Sequence, residues 1–406
     1  MGIGSRLRSL DVVVSSDCNL RCAYCYQNAK KPGVITWDHL RPALDLLLES
    51  ERQKVTLLFL GGEPLLGFPV IRRAVRYVGT RRRRPAVVDC AISTNGMLLD
   101  WRAAAFFARH DFDLQLSFDG VPEAQDLRGA GTGERLDRLL QRLRLRSPVY
   151  FHRRVSVAVT VLPRTLRHLA DTIDYLLASG VQDISLTAVI TRQPDWRPDR
   201  IGLLDDVFAQ VHRSCMRHYR RTGLMPVRLM RRGPAGAGRH EPNPWLCGAG
   251  GGEALAVDVD GELSGCVLFA RSYQRFPAGP LGRAMSRLQL GPVTAPDLAT
   301  RLAGYEGELF QAGPFFGRAQ KQSSYGRCAS CQWRRECSVC PVSIVRQSGN
   351  DDPHRIPDFV CAFNRVAAAW RHRSPRTTDS RRLIAGVVPA PPLVREVLAR
   401  AGALQS

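Results

Sequence analysis

The stretch Leu10-Asp11-Val12-Val13-Val14-Ser15-Ser16-Asp17-Cys18-Asn19-Leu20-Arg21-Cys22-Ala23-Tyr24-Cys25-Tyr26 decides how the rest of the chain is read. Residues 10–14 are valine-rich and nearly all apolar, the pattern of a strand buried on both faces. Three cysteines then fall within eight residues, on the loop that leaves this strand. Five further runs of the same kind follow, at 55–60, 86–93, 114–118, 154–161 and 183–189. Between them lie amphipathic helical stretches at 37–50, 68–78, 101–109, 134–144 and 166–179, with another at 203–221 after the last strand. Thr36 suits the N-cap of the first helix and Gly180 the stop after the fifth. Six β/α units in series predict an α/β fold with a parallel sheet and right-handed crossovers. Six are too few to close an eight-stranded barrel, so the expected form is a partial (β/α)6 TIM-like barrel. Chemistry in such barrels sits at the C-terminal ends of the strands. The polar and glycine-rich clusters at 15–25, 61–64, 93–96 and 117–120 fall there.

Bulk composition is that of a globular chain: 406 residues, 44% hydrophobic and 23% charged. No apolar run approaches a membrane span and no signal-peptide core opens the chain, so a cytoplasmic protein with no membrane partner is expected. The formal charge of +21 invites a nucleic-acid reading. The excess is arginine, since lysine occurs only at 30, 31, 54 and 321, and it is dispersed along the chain without an aromatic-interleaved platform. Nucleic acid is therefore not the expected partner.

The twelve cysteines are more telling. In a cytosolic chain, clustered cysteines read as metal ligands rather than disulfides. One group lies at 18–25 and a second at 247–361, with Cys90 and Cys215 between them as small hydrophobes. A glycine-, proline- and arginine-rich stretch at 223–244 reads as a connector. This divides the chain into a barrel (1–222), the connector (223–244), a small cysteine-rich domain (245–370) and a tail (371–406).

Three close cysteines suit three corners of a 4Fe–4S cubane whose fourth iron is left to a chelating ligand; a three-cysteine zinc site is the alternative. The Cys-x3-Cys-x2-Cys spacing, with Tyr24 before the third cysteine, resembles the radical S-adenosylmethionine superfamily. That resemblance implies a cluster held by Cys18, Cys22 and Cys25, with S-adenosylmethionine on the open iron, reductively split to a 5′-deoxyadenosyl radical. It also implies cofactor-binding roles for Gly62 and Glu63, in Gly61-Gly62-Glu63-Pro64, toward the methionine amino group. Ser117, in Ser117-Phe118-Asp119-Gly120, would lie near the ribose or carboxylate. Arg128 would pair with the carboxylate, and Leu186 and the Tyr24 backbone would lie near the adenine.

The second group comprises Cys247, Cys266, Cys328, Cys331, Cys337, Cys340 and Cys361. A hairpin turning at Gly261 delivers Cys266. The later run, Cys-x2-Cys-x5-Cys-x2-Cys with a last cysteine 21 positions on, also fits zinc ribbons. Together with the barrel it resembles the SPASM extension, whose members mostly modify peptides and proteins and hold one or two auxiliary clusters. By that resemblance Cys328, Cys331, Cys337 and Cys361 would hold an outer cluster, and Cys247, Cys266 and Cys340 an inner one. Two departures follow. The family's spacing before the fourth cysteine of the run is three residues, where Ser338-Val339 gives two. The extra cysteine of sulfatase-maturing relatives is Glu253 here, so Glu253, water or substrate would be the inner cluster's fourth ligand. Three clusters are expected, or two if the inner one is lost.

Sulfatase-maturing relatives also place an aspartate base directly after the cysteine equivalent to Cys266, where this chain has Val267. The implied function is maturation of a ribosomally made precursor peptide by hydrogen abstraction, giving a crosslink or an oxidation. Partners would be that peptide, a separate leader-recognition protein and a flavodoxin- or ferredoxin-type reductant. Alternatives are a sulfatase-maturase-like activity, a tRNA-modifying radical enzyme and a non-catalytic metal-binding nucleic-acid module.

Overall fold

The structure is a computed structural model that describes residues 6–27, 32–81, 87–233, 253–276, 278–311, 317–337, 339–346, 350 and 352–376. Cys247, the second half of the predicted connector and the tail beyond 376 lie outside the described residues.

Six parallel strands form the barrel wall: β1 (Ser9–Ser15), β2 (Lys54–Gly61), β3 (Val87–Thr94), β4 (Asp113–Ser117), β5 (Val155–Val161) and β6 (Ile184–Ala188). They run side by side in chain order, each hydrogen-bonded to the next. The main crossover helices are α1 (Trp37–Leu48), α2 (Phe68–Thr80), α3 (Trp101–Arg109), α4 (Thr132–Arg146), α5 (Pro148–Arg154) and α6 (Leu169–Ala178). A long α7 (Ile201–Thr222) follows β6. Thr36 caps α1 by accepting the His39 N–H, and Gly180, at φ 89°, lies two residues beyond α6.

Strand parity separates two environments. Val12, Leu57, Phe59, Ile92, Leu114, Leu116, Val157 and Ile184 are buried in the core. Each large side chain so buried contributes about 1.5–3 kcal/mol. The opposite parity turns Ser93, Gln115, Ser117, Ser156, Thr160 and Thr187 into the barrel lumen. The lumen therefore carries hydroxyl and amide groups along β3 to β6 among apolar neighbours such as Ala91 and Ala158, and Leu58 and Leu60 line it from β2.

Beyond the barrel, β7 (Ala254–Val257) does not start a separate sheet. It pairs in parallel with β1, from Ser9↔Ala254 to Val12↔Val257. The antiparallel β8 (Glu262–Ser264) and β9 (Gln289–Pro292) extend the same sheet to nine strands, ordered β6-β5-β4-β3-β2-β1-β7-β8-β9. The β7–β8 turn carries Gly261 at φ 81°, a conformation that glycine adopts without the Cβ penalty. At the other edge, the described part of the predicted connector is packed rather than extended. The Ile184 N–H donates to Pro226 O at 2.9 Å, and Met225, Val227 and Met230 are buried. The cysteine-rich region ends in α8 (Asp358–Arg373), which packs on α7 through Phe208–Phe363 (centroids 5.5 Å apart) and the Trp370 Nε1–Asp205 hydrogen bond (2.8 Å). Cys215 is buried in α7, and Cys90 packs against the core.

Candidate active site

Cys18, Cys22 and Cys25 lie on the loop after β1, on the wall of a cavity of about 670 Å3 that runs down the lumen. The loop is pinned from several sides. The Ala23 N–H donates to Leu127 O (2.7 Å), the Gly62 N–H to Ser15 O (2.7 Å) and the Glu63 N–H to Asp17 O (2.8 Å). This close backbone approach explains both glycines. A Cβ on Gly61 would meet Ser15 O at 2.1 Å, and one on Gly62 would meet Asp17 O at 2.4 Å.

The structure gives Glu63 a different setting from the expected one. Its carboxylate is buried and accepts from the Thr94 hydroxyl (2.6 Å), the Asn95 N–H (2.9 Å) and the Leu65 N–H (3.0 Å). Burial pushes its pKa up, opposed by these hydrogen bonds. Glu63 thus ties the end of β2 to the end of β3, whereas Gly61 and Gly62 line the cavity in its place. Asn95, which the sequence reading did not single out, is held by that clamp. Its side-chain amide donates to Asn19 Oδ1 at 2.8 Å and lies 3.7 Å from Cys18 Sγ.

Arg128 also differs. It lines the cavity, but its guanidinium is committed to a bidentate pair with buried Asp119 (Nε–Oδ2 2.9 Å, Nη2–Oδ1 3.0 Å). The Tyr24 hydroxyl and the Thr160 N–H (2.8 Å) donate to the same carboxylate. Arg128 further lies 5.4 Å from the Tyr24 ring centroid. Asp119 is thus the hub of the fourth strand end. Its signal was the quoted Asp-Gly pair after an apolar strand, with an arginine nine residues on. Burial pushes the Cys22 thiol pKa up, while the Arg128 charge pulls it down.

Ser117 faces the cavity. Leu186 does not: its side chain is buried in the core, and Thr187, Ala188 and Val189 reach the cavity instead. Thr187 has the opposite strand parity to Leu186, and Ala188 and Val189 reach the cavity from the end of the strand.

In the second group, Cys328, Cys331, Cys337 and Cys361 lie within electrostatic range of one another. Burial, then the neighbouring thiols, push Cys328 up to about 11 and Cys337 up to about 12. The Ser323 hydroxyl donates to Cys361 Sγ at 3.0 Å. Cys266 and Cys340 are the other described cysteines of this group. Both, like Cys25, lie near the Tyr26 hydroxyl, whose pKa burial raises first. Glu253 does not approach them. It ion-pairs with Arg8 and Arg52, and its carbonyl accepts the Arg8 N–H at 2.7 Å, at the N-terminal end of β1, opposite the cysteine loop. The expectation of Glu253 as a cluster ligand is therefore corrected.

Among the described residues, no three of His, Cys, Asp and Glu converge closely enough for a single metal ion. A cubane spreads its thiolates over separate irons, and the three thiols on a rim beside an open cavity fit that wider group. No helix among the described residues is long and apolar enough to cross a membrane.

Residues 12–176 match the Radical SAM superfamily model, and the chain carries a domain of that superfamily, which implies a 4Fe–4S cluster and S-adenosylmethionine. Over 131 residues the chain is 30% identical to a cysteine-type anaerobic sulfatase-maturating enzyme of Clostridium novyi, matching 30% of this chain and 35% of that protein. It spans 62% of the length of another curated relative. The fold is similar to that of anSMEcpe with bound AdoMet and Kp18Cys peptide (TM-score 0.65, 17% identity, 90% of this chain and 97% of that one). It is also similar to Streptococcus suis SuiB bound to precursor peptide SuiA (TM-score 0.57, 14% identity, 88% and 76%).

Proposed function

We propose that this chain is a radical S-adenosylmethionine enzyme that abstracts a carbon-bound hydrogen from a ribosomally made peptide and leaves a crosslink or an oxidised residue. The observation that carries the reading is the thiol triplet on the wall of the barrel lumen, beside a cysteine-rich region joined to the same sheet. Cys18, Cys22 and Cys25 would hold the cluster, which supplies the electron that splits the cofactor. The chain's own residues shape the rest. Gly61 and Gly62 leave a smooth backbone wall, Ser117 offers a hydroxyl to the lumen, and the Asp119–Arg128 pair fixes Tyr24 beside the cysteines. Cys328, Cys331, Cys337 and Cys361 would hold an outer auxiliary cluster. Cys266 and Cys340 would contribute to an inner one, with Cys247 as a third ligand. Similarity to two proteins solved with peptides supports a peptide partner. Sulfatase maturation is disfavoured because Val267 is buried in an apolar cluster with Val13 and Ala256 where those relatives hold their base. A leader-recognition protein and a flavodoxin- or ferredoxin-type reductant complete the scheme.

Co-expression with short open reading frames beside the gene, followed by mass spectrometry, tests this. The expected result is a peptide lighter by about two mass units, the loss of two hydrogens that marks a crosslink or a dehydrogenation. Unchanged peptides, together with a tRNA modification that disappears in Cys18→Ala, would overturn it.

A further inference from the structure

Two N–H groups face the sulfur of Cys18. One is the backbone of Leu20, 3.4 Å from Sγ and inside the same loop. The other is the side-chain amide of Asn95, 3.7 Å from Sγ and 77 residues along the chain, just past the end of β3. Asn95 is buried and lines the same cavity as the cysteine.

The orientation of that amide follows from its other bonds. Asn95 Oδ1 accepts the Met97 N–H at 2.9 Å, which leaves the NH2 group for the opposite side. One of its hydrogens serves Asn19 Oδ1 at 2.8 Å, and Cys18 Sγ is the neighbour for the other. The backbone beneath is fixed as well. The Asn95 N–H donates to the buried Glu63 carboxylate at 2.9 Å, and Glu63 also holds the Thr94 hydroxyl at 2.6 Å. Gly96, at φ 77°, turns the chain directly afterwards. The donor is thus in place before any ligand arrives.

We propose that Asn95 is a positioning residue for the cluster site of Cys18, Cys22 and Cys25, its amide donating to the Cys18 thiolate and thereby making the cluster easier to reduce. The proposal rests on the cluster assignment given above and adds a residue that sets its electron affinity. An electron added to a cubane increases the negative charge on its sulfurs, and hydrogen bonds to those sulfurs favour the reduced form. Burial strengthens such a dipole, because little water competes with it. A purely structural amide would act through Asn19 alone, so the two roles separate by experiment.

The test is a potentiometric titration of the reconstituted full-length protein with dithionite, followed by electron paramagnetic resonance. The signal to follow is the one that changes when S-adenosylmethionine is added, which marks the cluster with the open iron. Asn95→Asp keeps the shape and the Met97 contact but turns an acceptor toward Cys18, and Asn95→Leu removes the amide. Each should lower the equilibrium constant for reduction at least about tenfold, about 59 mV for one electron. Iron content and circular dichroism should stay unchanged; should Asn95→Leu fail to fold, Asn95→Asp carries the test. Asn19→Ala removes the amide's other partner and leaves the donor, so its constant should stay within about threefold of the parent. An unmoved potential in Asn95→Asp, or an equal shift in Asn19→Ala, would overturn the proposal. So would loss of cluster iron from Asn95→Asp, which would make the amide structural. A parent signal indifferent to S-adenosylmethionine would overturn the cluster assignment itself, an outcome distinct from a responsive signal whose potential does not move.

Discussion

The loop with Cys18, Cys22 and Cys25 is held by bonds that exist without metal: backbone pairs to Ser15, Asp17 and Leu127, the Glu63 clamp, and the Asp119 hub. The segment carrying Cys328, Cys331 and Cys337 is also hydrogen-bonded, the Cys328 N–H to Lys321 O and the Gln322 N–H to His354 O (both 2.8 Å), but it is built with less regular structure. Its described regular structure is a two-residue strand pair (Gln322–Ser323 with Gly326–Arg327) and a single helical turn at 328–330. Cys361 comes to it from the long helix α8. Burial and neighbouring sulfurs push the thiols there up. One region sets its thiols on a loop fastened to the ends of barrel strands, and the other sets them on a mostly irregular segment closed by a long helix.

The sharpest way to break this contrast is by ligand removal. Replacing Cys18, Cys22 and Cys25 by alanine should take 5′-deoxyadenosine formation below detection while circular dichroism stays unchanged. Cys331→Ala should keep some of this abortive cleavage but lose peptide product. If Cys331→Ala also abolished cleavage with its fold intact, the two regions would not be separable.

Next in size is the hub. Asp119→Ala strands the buried Arg128 charge, and the expected loss is about 3–5 kcal/mol by urea unfolding. A loss under about 1 kcal/mol, the range of an exposed pair, would show that this network does not hold the loop. Glu63→Gln keeps the shape and removes the charge that three donors point at. It should lower stability by about 1–3 kcal/mol, and Thr94→Val should then add less than its separate cost.

The smallest effect concerns acid. Both ring nitrogens of His218 are buried without a partner among the described residues. Burial, helped by the Arg221 charge, holds its pKa at about 4, below the ordinary 6.5. The unfolded chain therefore binds the proton more readily, so this stability is present above the unfolded value and is lost as pH falls from 6.5 toward 4. The expected loss is about 0.7 kcal/mol between about pH 7 and pH 6. His218→Leu should flatten that slope, and an unchanged slope would reassign it.

Much of the fold was legible because its signals are local. Continuous apolar runs, valine-rich in β1 and β5 and leucine-rich in β2, marked those strands, and the predicted span of α3 coincides with Trp101–Arg109. What stayed hidden depends on partners far along the chain. A glutamate after a strand reads the same whether it faces a cavity or a neighbouring strand, and the bond to Thr94 spans 31 residues. The Asp119–Arg128 pair was missed although its members lie nine residues apart, because Arg128 alone suited a carboxylate contact of the cofactor. Leu186 was misplaced because strand parity, not apolar character, selects the residues that meet the lumen. Nothing in the sequence of β7 announced that it would join β1, since short apolar runs do not name their neighbours.

That last pairing has a consequence for cutting the chain. β1 is an interior strand, covered by β2 on one side and β7 on the other. A protein truncated before residue 253 would bare the backbone of Ser9 to Val12 as an open edge below the cysteine loop. Unpaired edges recruit foreign strands, so such a fragment should oligomerise or precipitate rather than survive as a free-standing minimal enzyme.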